Sequence, residues 1–212
     1  MIIGLVGFIG SGKSTAANRL VNFHNFQEVS FGSALKDTVS VLFDWPRHLL
    51  EGDSTESRAW RDQIDEFWTR ELNWKDGLTP RKALQYFATE VVRNNLHHDF
   101  WVKRLKKSLT GISGNIVVSD CRFANEIQMI KSLGGEIWQI QRDEYPPWVI
   151  HARNYLKKTP YPSLNKIKYL EKEFKTHSSE WLWLGTDPDR VIVNKDIHEF
   201  LYAIDDVVKT LI

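Results

Sequence analysis

The chain has 212 residues, with 28 lysines and arginines against 27 aspartates and glutamates and a formal net charge of +1. This balance argues against a protein whose main task is to hold a nucleic-acid backbone, because that task needs a clustered basic excess. The 42% hydrophobic content is enough for one packed domain with insertions, and the single cysteine, Cys121, excludes an intramolecular disulfide and suits a reducing cytosol.

Residues 2–6 are a short apolar run of the kind that forms a buried parallel strand. The apolar stretch 1–10 is too short to span a bilayer and lacks the basic leader of a signal peptide, so we expect neither a membrane span nor secretion. A glycine-rich segment, residues 7–15, follows the run, and apolar residues then recur at helical spacing. Residues 28–31 predict a short second strand.

Further along, Thr79-Pro80 predicts the start of a helix, and residues 115–119, 136–140 and 190–193 predict three more strands. A helical pattern at residues 123–133 ends at two glycines, and the last helix begins after Asp196 with Glu199 as its capping-box partner. Strands that alternate with helices in this way predict an α/β fold with a doubly wound parallel sheet.

Two stretches do not fit this alternation. Residues 44–95 have helical patterns throughout, and residues 143–189 are rich in proline, lysine and aromatic residues. We interpret both as insertions into a single domain that spans residues 1–212.

The segment Gly7-x4-Gly12-Lys13-Ser14 satisfies the phosphate-binding P-loop pattern. Its glycines let successive N–H groups point at phosphate oxygens, and the next helix adds its positive N-terminal end. Lys13 can reach the β- and γ-phosphates, and the Ser14 hydroxyl can bind Mg²⁺. The residues expected to bind ATP are Gly10, Ser11, Gly12, Lys13, Ser14 and Thr15. A glycine-rich turn with a solvated lysine is the alternative, which the preceding strand and following helix disfavour.

Asp120 follows the predicted strand 115–119, at the edge of the sheet where the P-loop also lies. An aspartate there can hold Mg²⁺ or its waters, or it can cap the next helix. Arg122 comes two residues later and can face a phosphate, or it can pair with Glu126 on a helix surface.

Taken together, these residues resemble the deoxynucleoside monophosphate kinases encoded by large tailed bacteriophages, a branch of the P-loop nucleotide kinases. Four segments carry the resemblance: residues 7–15, 81–103, 120–126, and 177–180 together with 193–194. The chain departs from the family pattern at Ala88-Thr89-Glu90, where the family often has glycine before the threonine. Residues 143–176 match no part of the family pattern. Arginines assigned to a lid in this part of the chain are therefore inferred without a motif.

The resemblance implies transfer of the γ-phosphoryl group of ATP to a deoxynucleoside 5′-monophosphate, with Mg²⁺ as cofactor. It implies a monophosphate-binding role for the insertion 44–95 and a lid role for the insertion 143–189. The catalytic residues implied are Lys13, Asp120, Arg122 and Arg142, with Ser14 and Asp120 on the metal side. The substrate-binding residues implied are Lys36, Arg81, Gln85, Thr89, Arg93 and Trp101.

Each of these assignments has a structural alternative. Lys36 and Arg142 can be solvated surface side chains, and Trp101 can belong to the core instead of stacking on a base. The polar residues at positions 81, 85, 89 and 93 recur every four residues and predict one helix stripe, which can be a plain solvated face. Arg153 is a second candidate for a lid arginine.

Three other functions stay open at this point. One is a P-loop kinase of another small acceptor, such as dephospho-coenzyme A or a sugar acid. The others are a P-loop ATPase that acts on nucleic acid, which the neutral charge disfavours, and a nucleotide-binding module without turnover. We expect small-molecule substrates, no nucleic-acid or membrane partner, and a cytoplasmic location, in the host cell if the chain is phage-encoded. A homodimer is left open.

Overall fold

The structure is a computed structural model that describes residues 1–142 and 144–211. Asp143, with which the predicted lid insertion begins, and Ile212 lie outside the described residues. The chain divides into two compact units, Met1–Ser30 with Ser108–Ile212 and Phe31–Lys107. The second unit extends beyond the predicted helical insertion, 44–95, at both ends.

Five strands are present in the described part of the chain: β1 (Ile2–Val6), β2 (Phe26–Val29), β3 (Asn115–Val118), β4 (Glu136–Gln141) and β5 (Arg190–Val193). The α-helices are α1 (Lys13–His24), α2 (Ser33–Phe43), α3 (Thr55–Arg61), α4 (Glu66–Glu71), α5 (Pro80–Tyr86), α6 (Phe100–Leu109), α7 (Ala124–Ser132), α8 (Trp148–Lys158), α9 (Leu164–Phe174) and α10 (Ile197–Leu211). Short 3₁₀ helices cover Arg47–Leu50, Ser178–Glu180 and Leu182–Gly185, and a π-helix covers Phe87–Asn94.

The first unit is built on one parallel sheet with the strand order β2-β3-β1-β4-β5. The central strand β1 pairs with β3 and β4, so that Ile3 aligns with Val117 and Leu5 with Trp138. Helices α1 and α10 pack on this sheet through Leu20 and other fully buried apolar residues. This arrangement confirms the predicted α/β class with a doubly wound parallel sheet, and it brings the ends of β1, β3 and β4 to one edge.

Two details of the first unit differ from the prediction. The second strand is Phe26–Val29 and not 28–31, because β2 is an edge strand whose Gln27 and Glu28 are exposed, which leaves little apolar signal. Leu133, the last residue of the predicted helical pattern 123–133, is 41% exposed, since α7 has already ended at Ser132.

The second unit is helical, as predicted for residues 44–95. Thr79 caps α5 by accepting a hydrogen bond from the backbone N–H of Lys82, and Pro80 occupies the first turn. The predicted continuous stripe is not formed as one α-helical face, because α5 ends at Tyr86 and the chain continues as a π-helix. A π-helix bonds each residue to the fifth along the chain, so the four positions do not share one regular helical period. Thr89 and Arg93 are buried.

Candidate active site

The phosphate loop connects β1 to α1 in the first unit. Its three glycines have positive φ angles, 146° at Gly7, 77° at Gly10 and 109° at Gly12. At Gly12 a Cβ atom would lie 2.3 Å from Nδ2 of Asn194, which donates a 2.8 Å hydrogen bond to the carbonyl of Ser11. Glycine is therefore required there both by conformation and by space. The loop ends at Lys13, where the positive end of α1 begins.

Lys13 is half-buried at the head of α1. Its Nζ donates to the carbonyl oxygens of Gly7 at 2.8 Å and Phe8 at 2.9 Å. Burial and, after it, the positive charge of Arg122 lower the pKa of Lys13 to about 8, although the carboxylates of Glu180 and Asp120 act in the opposite direction. The sequence analysis assigned Lys13, Asp120 and Arg122 to one site. Asp120 and Arg122 lie close enough to Lys13 to shift its pKa.

Asp120 lies just beyond the end of β3, beside the end of β2. Its Oδ2 accepts a 2.8 Å hydrogen bond from Oγ of Ser30, which follows β2. The two neighbouring strands therefore bring a carboxylate and a hydroxyl together at the edge of the sheet that carries the phosphate loop. These are oxygen donors of the kind that Mg²⁺ prefers.

Arg122 is held by residues far along the chain. Its Nη1 forms an ion pair with Oε1 of Glu180 and donates to the carbonyl of Ser179 at 3.3 Å. Burial by itself lowers the pKa of Arg122, but the Glu180 carboxylate more than offsets this and raises it. The nearby Glu126 accepts hydrogen bonds from the backbone N–H groups of Arg122 and Phe123, so it caps α7.

The two arginines that the sequence analysis suggested for a lid, Arg142 and Arg153, lie after β4. Arg142 is exposed and lines a cavity that Phe8 of the phosphate loop also lines. Arg153 is half-buried in the middle of α8. Its positive charge favours the ionised forms of the Tyr145 hydroxyl and the Asp187 carboxyl.

The substrate-binding residues predicted in the helical unit are mostly bonded to other parts of that unit. Lys36 pairs with Glu51 at 2.5 Å, and Arg81 pairs with Asp62 at 2.5 and 3.0 Å. Arg93 is 5% exposed and donates from Nη1 to the carbonyl of His98 at 3.2 Å, instead of lying on a solvated face.

The stacking role expected of Trp101 needs correction. Its side chain is 7% exposed, and its indole N–H donates to the carbonyl of Ala88 at 3.0 Å. The ring packs edge-to-face on Phe100, with centroids 5.2 Å apart. Trp101 therefore belongs to the interior of the helical unit, which was the alternative interpretation. Gln85 is half-buried in α5.

Three residues of the site were given no role by sequence reasoning. Ser30 and Asn194 each follow a strand that ends beside the phosphate loop, which is the signal that could have identified them. Glu180 lies in a segment that has no sequence signal of proximity to Arg122, because only the folding of residues 144–180 brings the two together.

Comparison with known proteins supports a single family. The family model for deoxynucleotide monophosphate kinase matches residues 47–152. A protein of Acanthamoeba polyphaga mimivirus, provisionally named a deoxynucleotide monophosphate kinase, is 33% identical over 156 residues, which cover 67% of this chain and 74% of that protein. The deoxynucleoside-5′-monophosphate kinase of Escherichia phage T5 is 25% identical over 224 residues, covering 82% of this chain and 88% of that protein.

Among solved structures, TT1252 from Thermus thermophilus is 17% identical with a TM-score of 0.48, covering 100% of this chain and 98% of that one. Dephospho-CoA kinase from Campylobacter jejuni is 14% identical with a TM-score of 0.44, covering 99% and 96%. Neither likeness is close enough to indicate an acceptor. The family match and the mimivirus relative, in contrast, confirm the resemblance that the sequence motifs indicated. The chain therefore belongs to the family of deoxynucleotide monophosphate kinases and is a phosphotransferase.

Proposed function

We propose that the phosphate loop of the first unit transfers the γ-phosphoryl group of ATP to the phosphate of a deoxynucleoside 5′-monophosphate, giving a deoxynucleoside diphosphate and ADP. The observation that carries this proposal is the approach of two cations, Lys13 and Arg122, at the loop where three glycines have positive φ angles. Cations and N–H groups that converge on one place stabilise the negative charge of a transferring phosphoryl group.

Phosphoryl transfer depends on the protein mainly for positioning the two substrates and for stabilising negative charge, and little on covalent chemistry by the protein. An oxygen of the acceptor phosphate forms a bond to the γ-phosphorus while the bond from that phosphorus to the β–γ bridging oxygen breaks. Lys13 holds the donor phosphates from the head of α1, where it already donates to two carbonyls of the loop. Arg122, fixed by Glu180, supplies positive charge to the group in transfer.

The donor set at the sheet edge fits Mg²⁺. Ser14 is exposed in the first turn of α1, and Asp120 with its partner Ser30 offers a carboxylate and a second hydroxyl. No group of three or more His, Cys, Asp or Glu side chains suited to a metal ion is found within residues 1–142 and 144–211. The oxygen donors of Ser14 and Asp120 suit Mg²⁺, which keeps several waters and binds substrate phosphates together with one or two protein oxygens. When bound, the ion neutralises phosphate charge.

The helical unit provides the acceptor's binding residues in this proposal. Gln85 of α5 offers both a donor and an acceptor to a base edge, and Thr89, buried in the π-helix, offers a hydroxyl. Lys36 and Arg81 can reach the acceptor only by exchanging Glu51 and Asp62 for a phosphate. Arg93 and Trp101 act by supporting the helices that carry these groups.

The insertion after β4 acts as a lid that keeps water from the phosphoryl group. Arg142, just before the insertion, adds a positive charge next to that group. The substrates are small molecules, and the viral relatives suggest that the reaction takes place in the cytoplasm of a host cell. A homodimer is compatible with this function but is not required by it. No helix in the described chain has the length and apolar character needed to cross a membrane.

The test is a coupled assay of ADP release with each deoxynucleoside and ribonucleoside monophosphate in turn. We expect turnover that depends on a deoxynucleoside monophosphate and on added Mg²⁺. If ATP binds and no monophosphate supports ADP release, the proposed function is wrong.

A further inference from the structure

The 3₁₀ helix Ser178–Glu180 begins with hydrogen bonds to two side chains that precede it in the chain. The N–H of Ser178 donates to Oε1 of Glu171 at 2.7 Å. The N–H of Ser179 donates to Nδ1 of His177 at 3.3 Å, and the backbone carbonyl of His177 accepts the third N–H of the helix at 3.0 Å. Both serines are buried, 1% and 8% exposed, so little water is available to replace these acceptors. The N–H groups that a helix start leaves without partners are therefore bonded here, two of them by His177.

The bond from Ser179 fixes the protonation state of the His177 ring. A backbone N–H can only donate, so Nδ1 accepts with its lone pair and carries no proton. The proton of the neutral ring is then on Nε2, which lies 3.8 Å from Oε1 of Glu171. If the ring takes up a second proton, Nδ1 becomes a donor and the bond from the Ser179 N–H is lost. Oγ of Ser179 lies 2.9 Å from Nδ1, so protonation exchanges a bond to the helix backbone for one to a side chain.

The surroundings of His177 keep its ring neutral near pH 7. Burial lowers the pKa of His177 below its ordinary value of 6.5. The carboxylates of Glu171 and Glu180 act in the opposite direction, and the guanidinium of Arg122 lowers the pKa again. Because the net direction is downward, the ring accepts from Ser179 at neutral pH and loses this bond only as the pH falls below 6.5.

The capped residue is also in contact with the phosphate site. Nη1 of Arg122 donates to the carbonyl of Ser179 at 3.3 Å and forms its ion pair with Glu180, the next residue. His177 therefore bonds to the N–H of the same residue whose carbonyl bonds to Arg122. A shift of this short helix moves both acceptors of the arginine together.

We propose that His177 is a positioning residue for phosphoryl transfer, whose neutral ring caps the helix Ser178–Glu180 and so holds Glu180 and the Ser179 carbonyl against Arg122. Uptake of a proton by the ring releases the cap and loosens the arginine. The effect on turnover rests on the proposed function, whereas the cap and its protonation state do not.

The test compares His177→Asn with His177→Ala. Asparagine is a good N-cap that accepts through Oδ1 and does not titrate, whereas alanine removes the cap. His151→Asn is the matched control, because His151 is exposed on α8, another helix of the same unit. The kcat and the KM for each substrate are measured with the full chain between about pH 5 and pH 8.

At the upper end of this range we expect His177→Ala to lower kcat about tenfold, with the KM for ATP within about threefold, and His177→Asn to keep kcat within about threefold. The ratio of the wild-type kcat to that of His177→Asn should fall as the pH drops below 6.5, because only the wild type then loses its cap. This ratio cancels the titration of the substrate phosphates, whose pKa is about 6. His151→Asn should keep the wild-type profile. A ratio that does not change with pH, or a wild-type kcat in His177→Ala, overturns the proposal.

A double variant tests the route of the effect. If His177 acts through Glu180, His177→Ala combined with Glu180→Gln should be no slower than Glu180→Gln alone, because residues that act as one unit are not additive. Losses that multiply would show that His177 acts elsewhere, and would overturn the proposal.

Nuclear magnetic resonance of the ¹⁵N-labelled histidine rings checks the cap without turnover, with His177→Asn to assign the signal. We expect Nδ1 of His177 to be unprotonated at about pH 7, with the proton on Nε2. A proton on Nδ1 at this pH overturns the inference even in an active kinase. An unprotonated Nδ1 in a protein that transfers no phosphoryl group supports the cap and refutes only the proposed function.

Discussion

Arg122 and Glu180 form an ion pair although they lie 58 positions apart in the chain. Arg122 follows β3 of the sheet, and Glu180 belongs to the short 3₁₀ helix Ser178–Glu180 that comes after α9. The Glu180 side chain is only 13% exposed, so water screens the pair less than it screens a surface pair. The contact fixes Arg122, our proposed cation of the phosphate site, through a residue of the insertion 143–189, for which we propose a lid role.

The first prediction concerns this pair. Glu180→Gln keeps the shape of the side chain but removes the charge that orients Arg122. We expect kcat to fall about tenfold to a hundredfold, because a displaced charge no longer matches the transferring phosphoryl group. The KM for ATP should change less, since Lys13 and the loop keep their own contacts. Steady-state kinetics with both substrates varied measures the two effects separately.

Glu173→Gln is the control for that variant, because Glu173 is exposed on α9 in the same insertion. It should keep the kcat of the wild type. If Glu180→Gln also keeps kcat within about twofold, the pair has no part in positioning Arg122.

The second prediction concerns Lys13→Met. Turnover should fall at least about 10²-fold to 10³-fold, the usual effect of removing one group that stabilises transition-state charge. The melting temperature should not fall, because the bonds that Nζ makes within the described part of the chain go to two carbonyls of the loop, and burial already disfavours the charged form. Thermal unfolding and the ADP-release assay check both parts. Lys209→Met, an exposed position on α10, is the control, and an unfolded Lys13→Met protein would contradict the assigned loop structure.

Much of the sheet could be predicted because each central strand is apolar on both faces. Residues 2–6, 115–118 and 136–140 are such runs, and the P-loop follows the first of them in sequence. The edge strand β2 was misplaced by two residues because it buries Phe26 but exposes its next two side chains. An edge strand needs less apolar surface, so its sequence is less informative.

The candidate site also contains residues that the sequence identifies and residues that it does not. Lys13, Ser14 and Asp120 are identified by their position next to strand ends, which the sequence shows directly. The partner of Arg122 could not be identified, because Glu180 reaches it through tertiary packing. The π-helix at Phe87–Asn94 was also missed, because the pattern of these residues predicts a helix without showing whether its turns are α- or π-helical.

The third prediction compares two glycines of the phosphate loop. Gly12→Ala places Cβ 2.3 Å from Nδ2 of Asn194 at a φ of 109°, so the loop must move and nucleotide binding should be lost. Gly10→Ala meets no atom within 4 Å and carries only the conformational cost of its φ of 77°, about 1–2 kcal/mol. Gly10→Ala should therefore keep measurable ATP binding. Calorimetry with ATP separates the two variants, and equal binding by both would show that Asn194 does not restrict the loop.

The last prediction concerns a contact between α1 and α10. Asp205 accepts hydrogen bonds from Nε and Nη2 of Arg19 at 2.9 and 2.5 Å and lies 2.7 Å from Nε2 of His24. These partners, Arg19 first, lower the pKa of Asp205 from 3.8 to about 2. Because water reaches the carboxylate, we expect Asp205→Asn to lower the free energy of unfolding at pH 7 by only about 1 kcal/mol.

The stabilising effect of Asp205 should depend on pH. A carboxyl whose pKa is lower in the folded state stabilises the fold above its unfolded pKa of 3.8, and that contribution is lost as the pH falls through about 2. The difference between wild type and Asp205→Asn should thus be full at pH 5 and shrink between pH 4 and pH 2, as urea unfolding can measure. Asp206→Asn, at the exposed next position, should show no such difference. A gap between wild type and Asp205→Asn that persists unchanged at pH 2 would mean that Asp205 stabilises the two helices through something other than its charge.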